Sequence, residues 1–146
     1  MLLFHYVLAT LAAVLGTACI AALWSLLALQ GGAPWPALLA ALGIVALLHL
    51  NGQRAGRLRA VTAVVLYLGA AIYAGYIEAS GRIGGTLGLS LFESLRQIGA
   101  EMALAWMRAH RDAADLFWYG GGLVLCILLG WLWGRRAPQR RTPTRR

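Results

Sequence analysis

Residues 2–29 read LLFHYVLATLAAVLGTACIAALWSLLAL, a run without one charged side chain, and this run decides the class of fold. At a rise of about 1.5 Å per residue it reaches about 42 Å as a helix, more than the roughly 30 Å of bilayer hydrocarbon. In a chain of 146 residues that is 60% hydrophobic and 12% charged, a water-soluble fold has too little polar surface to cover what would be exposed. The run has no basic residue ahead of it and is about twice the length of a signal-peptide core, so it is expected to remain as a span. Gly16-Thr17-Ala18-Cys19 has the outline of a lipoprotein cleavage box. Leu15 stands one place too early for that box and no basic segment precedes it, so lipidation is not expected.

Outward from this run, QGGAPWP at residues 30–36 reads as a turn, with Pro36 suited to the first turn of a following helix. A second span is expected over residues 35–50, short for its task. The connector NGQRAGRLR at 51–59 carries Arg54, Arg57 and Arg59. A third span follows over 60–77, with Tyr73 and Tyr76 near its end at headgroup level, and a fourth over 116–133, with Phe117, Trp118 and Tyr119 at one boundary and Trp131 and Trp133 at the other. Residues 1–134 thus form one membrane domain, and residues 135–146 a basic tail without apolar content, expected to be disordered.

Residues 78–115 differ in texture, holding all five acidic residues of the chain. Within them GRIGGTLG (81–88) reads as a glycine-rich connector; it lacks the Lys-Ser/Thr ending of a phosphate loop. Ser90 and Glu93 have capping-box spacing, and an amphipathic helix is expected over residues 91–110, with Leu91, Leu95, Ile98, Met102 and Trp106 forming its apolar stripe. Inserting it as a fifth span would place Glu93, Arg96 and Glu101 in hydrocarbon at about 2.5–3.5 kcal/mol each, against gains of about 0.5 kcal/mol per Leu. Arg108 to Asp112 and Arg111 to Asp115 are spaced as helical ion pairs, while Asp112 also suits an N-cap.

Every one of the thirteen basic residues is Arg, and the net charge is +8. Nine Arg fall in the 51–59 connector and the tail, against four in residues 78–115. The positive-inside rule therefore puts both ends and the connector in the cytoplasm. This clustering beside apolar runs points to anionic lipid as the partner of the charge, and no nucleic acid is expected. The absence of Lys beside abundant Ala and Leu is read as the coding bias of a GC-rich genome, and the expected location is the inner membrane of a bacterium.

Chemistry is sparse. Cys19 and Cys126 stand in apolar segments without a CxxC partner, so neither a disulfide framework nor a zinc site is expected. His5 and His49 would lie at the cytoplasmic ends of their spans, where two imidazoles could ligate haem or metal, yet packed or interfacial histidines are far commoner. Glu78 closes the third span and is the single candidate functional polar residue; snorkelling to the interface is its commoner role. Glu93 and Glu101 lack a nucleophile or metal beside them. The pairs Ala12/Gly16 and Ala71/Gly75 permit close helix contact.

The expectation is an all-α integral membrane protein, a four-transmembrane-helix bundle with an additional extracytoplasmic amphipathic helix, and no catalytic, cofactor-binding or metal-binding residues. Its partners are the lipid bilayer and a membrane-protein partner or a second copy of itself. The expected role is a non-enzymatic accessory or interaction subunit; the alternatives are a small transporter of a neutral or lipidic substrate and, third, a membrane-bound enzyme or haem protein.

Overall fold

A computed structural model describes residues 2–31, 35–110 and 112–133, with side-chain packing described for 10–30, 35–110 and 112–133. The tail, the His5 side chain, most of the 30–36 turn and the Arg111 to Asp115 pair lie outside those residues. The described chain is all helical: α1 (Leu2–Gly31), α2 (Pro36–Leu50), α3 (Arg57–Thr86), α4 (Leu91–Gln97), α5 (Ala100–His110) and α6 (Ala113–Leu132). Three of these are long and apolar enough to cross a membrane: Thr10–Gln30 within α1, all of α3, and α6. With 15 residues, α2 is about 22 Å long. It starts with Pro36 at the first helical positions, where a missing N–H costs nothing.

Around one core, α1 neighbours α2 and α3, and α6 neighbours the same two, with α2 and α3 meeting across the middle. The side chains are distributed the wrong way round for a soluble protein. The buried set is dominated by alanine (Ala21, Ala28, Ala37, Ala40, Ala41, Ala63, Ala70, Ala74), while Leu11, Leu15, Leu23, Leu39, Val61, Val65 and Ile72 point outward. In water an apolar patch of that extent is a liability. In lipid there is no gain from burying Leu rather than Ala, and small residues let helices approach closely. The largest residues admitted are aromatic: Trp24 stacks on Tyr67 at 6.0 Å and lies 5.2 Å from the Tyr119 ring. Tyr67 Oη donates to the Tyr119 carbonyl at 3.1 Å, and its ring lies over Gly122, where a Cβ would come within 2.6 Å of Cζ.

Two boundaries depart from the sequence reading. Residues 81–86 continue α3 instead of forming a connector; the helix ends at Thr86 with Leu87 as its C-cap, followed by Gly88, whose φ of +72° is open to glycine without strain. Glycine weakens a helix by about 0.5–1 kcal/mol per residue; here close packing offsets it, because Gly84 takes Ser94 of α4 against its backbone and Gly81 lies between Leu29 of α1 and Leu91 of α4.

The helix expected over 91–110 is two helices, broken at Ile98-Gly99. Ile98 is extended (φ −85°, ψ 113°), and the Tyr76 hydroxyl lies 3.3 Å and 3.1 Å from the Leu95 and Ile98 carbonyls that close α4. A side chain from α3 thus supplies the donor that the interrupted helix lacks. The capping box forms as read: Ser90 N–H donates to Glu93 Oε2 at 2.9 Å and Glu93 N–H to Ser90 Oγ at 3.4 Å. Asp112 stands at the N-cap of α6, its N–H donating to Asp115 Oδ2 at 3.4 Å. Since α5 ends at His110, Asp112 serves that cap and the helical register with Arg108 is lost.

Candidate functional site

Two polar centres stand at opposite ends of α3. At its start, Arg59 is turned inward and only 1% exposed. Its Nε donates to the Gly130 carbonyl at 3.0 Å, Nη2 to Leu129 O at 3.1 Å and to Trp133 O, and Nη1 to Gln53 O at 3.3 Å. Nη1 also lies 3.3 Å from His49 Nδ1, and the His49 ring stacks on Trp133 at 5.8 Å. The last carbonyls of a helix lack a full set of intrahelical donors and carry the negative end of its dipole; one guanidinium fan takes up Leu129, Gly130 and the C-cap Trp133 of α6. Close approach makes this possible: Gly56 N–H also reaches the Gly130 carbonyl at 3.3 Å, and a Cβ on Gly130 would stand 2.7 Å from Ala60 Cα.

This centre was hidden in the sequence. Arg59 reads as one of three connector arginines, yet Arg54 and Arg57 are exposed while Arg59 is buried. The available signal was its position directly against the apolar run that begins at Ala60. His49, considered as a ligand, is engaged with Arg59 and Trp133.

At the other end, Glu78 pairs with Arg82 one turn further on: Arg82 Nε and Nη2 each lie 3.0 Å from Glu78 Oε1. The Arg82 guanidinium carbon stands 5.9 Å from the centre of the Trp106 ring, within cation–π range. The other side of the Trp106 system is closed by His110, whose ring stacks at 4.4 Å and whose Nδ1 lies 3.1 Å from the Trp106 carbonyl. Gly81, Arg82, Ile83, Gly85, Thr86 and Trp106 line an open groove of about 570 Å³.

The backbones of α4 and α5 pack against α3 and against no other helix among the described residues. Of the expected stripe, Ile98 is buried, Leu91, Leu95 and Trp106 are half-buried, and Met102 is exposed. The break at Gly99 shifts the register, so that α5 turns Ala103 and Met107 inward, where with Ile98 and Ala79 they form a second, smaller core. Met102 thereby moves to the outer face, 57% exposed, together with Leu104 and, from α4, Phe92 at 82%. Ala103 and Met107 were missed as packing residues because a continuous helix was assumed, and Ser94 because it is polar.

Glu93 is held below the usual carboxylate range by the Ser90 hydroxyl and then by the Ser90 N–H. Cys126 is buried and Cys19 exposed. Among the described residues no three His, Cys, Asp or Glu side chains gather as a metal site would require. Comparison with known proteins returns no matching family, characterised protein or solved structure.

Proposed function

We propose that the chain is a small multi-pass protein of a bacterial inner membrane that crosses four times with both ends in the cytoplasm. In this reading it serves as a non-enzymatic accessory or assembly subunit, presenting α4 and α5 on the outer side to a membrane-protein partner. The observation that carries the reading is the exposure of the apolar side chains Phe92 and Met102 on a helix pair whose backbone packs on α3 alone among the described helices. Apolar side chains at such exposure beside a polar rim mark a contact surface. The four-span count rests on α2 bringing Leu50 and the Arg-bearing connector to the cytoplasmic side, with the short helix extended at its start by Trp35. The orientation rests on the distribution of Arg.

The test uses a photo-crosslinking amino acid at position 92 or 102, with Ile72 on the lipid-facing side of α3 as control. A discrete protein adduct of the same mass from both outer positions, absent from Ile72, and its loss in Phe92→Glu and Met102→Glu, is the expected result. Lipid adducts alone at 92 and 102 would refute it. These substitutions are on exposed positions and leave the core intact, unlike Leu95→Glu, which would strike a half-buried side chain.

A second reading, a transporter of a neutral or lipidic substrate, is favoured by a cleft of about 230 Å³ between α1 and α3, lined among others by Thr17, Gly69 and Tyr73. Its polar lining is thin, since Thr17 Oγ1 is spent on the Ala13 carbonyl, and Thr62 and Tyr67 are likewise bonded to backbone. Substrate movement across reconstituted vesicles that is lost on filling the cleft with Gly69→Leu would establish it.

A further inference from the structure

The 30 residues of α3 amount to about 45 Å of helix, the full thickness of a bilayer with both headgroup layers. Arg59 and Arg82, 23 positions apart, are about 35 Å from each other along the axis. With Arg59 sealed at the cytoplasmic boundary, Arg82 and its groove fall at the level of the outer headgroups. This placement rests on the membrane reading given above.

The groove is built for a group that is part charged and part apolar. Glu78 takes up Arg82 Nε and Nη2, which fixes the guanidinium plane and leaves Nη1 unengaged among the described residues. A half-exposed Arg held by a carboxylate keeps donors for one more oxygen acceptor, and the pair as a whole is near neutral. Such a site favours an acceptor that travels with its own positive charge over a bare anion. The Trp106 indole forms the apolar wall in the position that interfacial aromatics prefer. The floor is open at Gly85, where a Cβ would meet nothing within 4 Å.

We propose that this groove holds the headgroup of a zwitterionic glycerophospholipid, its phosphate on Arg82 Nη1 beside the Trp106 ring and its ammonium on the water side of that phosphate. The acyl chains then run down beside α3 into the hydrocarbon, a path that a soluble ligand would not use.

The test is native mass spectrometry of the full chain from detergent, with phosphatidylethanolamine or chain-matched diacylglycerol added. One phosphatidylethanolamine per chain is expected to survive activation that strips diacylglycerol. The bound fraction is expected to fall at least fivefold in Arg82→Gln and in Gly85→Leu, which fills the groove with the guanidinium intact, and to stay within twofold of wild type in Arg108→Gln, an exposed arginine that does not line the groove. Equal retention of diacylglycerol, no loss in Arg82→Gln, or an equal loss in Arg108→Gln would each overturn the proposal. Displacement by equimolar glycerophosphoethanolamine would also overturn it, by assigning the site to a free phosphate ester. Circular dichroism of each variant checks that the helices persist. Extraction of the protein from membranes by alkaline carbonate would sink the membrane reading itself, whereas a carbonate-resistant protein indifferent to Arg82 would sink only the headgroup site.

Discussion

Replacing Arg59 by Met keeps most of the aliphatic volume and deletes the guanidinium that closes α6. Four backbone carbonyls lose a charged donor: Leu129, Gly130, Trp133 and Gln53. A hydrogen bond to a charged group is worth about 1.5–3 kcal/mol net, and a buried acceptor left unmade costs about 1–3 kcal/mol. The four do not add, because one side chain makes them all and the bonds to Leu129, Trp133 and Gln53 are only part-buried, open to replacement by water. Gly130 keeps the Gly56 N–H. The expected loss is therefore about 3 kcal/mol, roughly a 150-fold shift in the folding equilibrium. Arg59→Lys should recover less than half, since an ammonium is a point donor that cannot fan across three turn carbonyls. Reversible unfolding in mixed micelles of rising dodecyl sulfate fraction, followed by far-ultraviolet circular dichroism, measures both. Arg57→Met, two residues away and exposed, is the control and should stay within about 0.5 kcal/mol of wild type. If Arg59→Met is as stable as Arg57→Met, or Lys serves as well as Arg, the assignment of Arg59 as the cap of α6 is wrong.

Gly122→Ala should destabilise by about 2 kcal/mol through collision with the Tyr67 ring, measured by the same unfolding series, and combination with Tyr67→Leu should be less costly than the sum of the two changes. Gly84→Ala should prise α4 away from α3 at Ser94, seen as faster proteolysis between residues 87 and 100 in vesicles, with Ser94→Gly restoring resistance. For Glu93 the sign is fixed by its depressed folded value: the cap of α4 is at full strength above the ordinary glutamate value of about 4.3 and is lost as pH falls through the lower folded one. The Ser90 amide resonance should follow that titration in an NMR series and become flat in Glu93→Gln, which keeps the capping acceptor.

What the sequence disclosed is what local physics controls. The uncharged runs announced the long helices, Pro36 the start of α2, and Ser90 with Glu93 the start of α4, because each depends on residues within one or two turns. The misread elements depend on distant partners. The 81–88 stretch looks like a loop until Ser94 and Leu29 are brought against Gly84 and Gly81. A helix over 91–110 looks continuous until the Tyr76 hydroxyl is there to donate to a carbonyl at its break, and the change of register then sends Met102 outward and Met107 inward. Arg59 and Arg82 carry the same charge and both sit near the ends of α3, yet the first is consumed by the backbone of a helix 71 residues on, a partner no local pattern discloses, and the second is held by Glu78 one turn back and left partly open. Glu78 stands at the edge of an apolar run and four residues before Arg82, a helical pair spacing within α3; the Trp106 wall beside them became visible only when α5 folded back.

The arginine of α3 and the carbonyl it caps lie 71 residues apart, which gives the protein a clock. At about 5–20 residues per second of synthesis, Arg59 leaves the ribosome roughly 4–14 s before Gly130 does. During that interval none of the α6 carbonyls is there to take its charge. Only when α6 arrives can the guanidinium take its carbonyls, so the closing of this end of the core waits for that helix. A chain cut short before Gly130 would carry an arginine with nowhere to go.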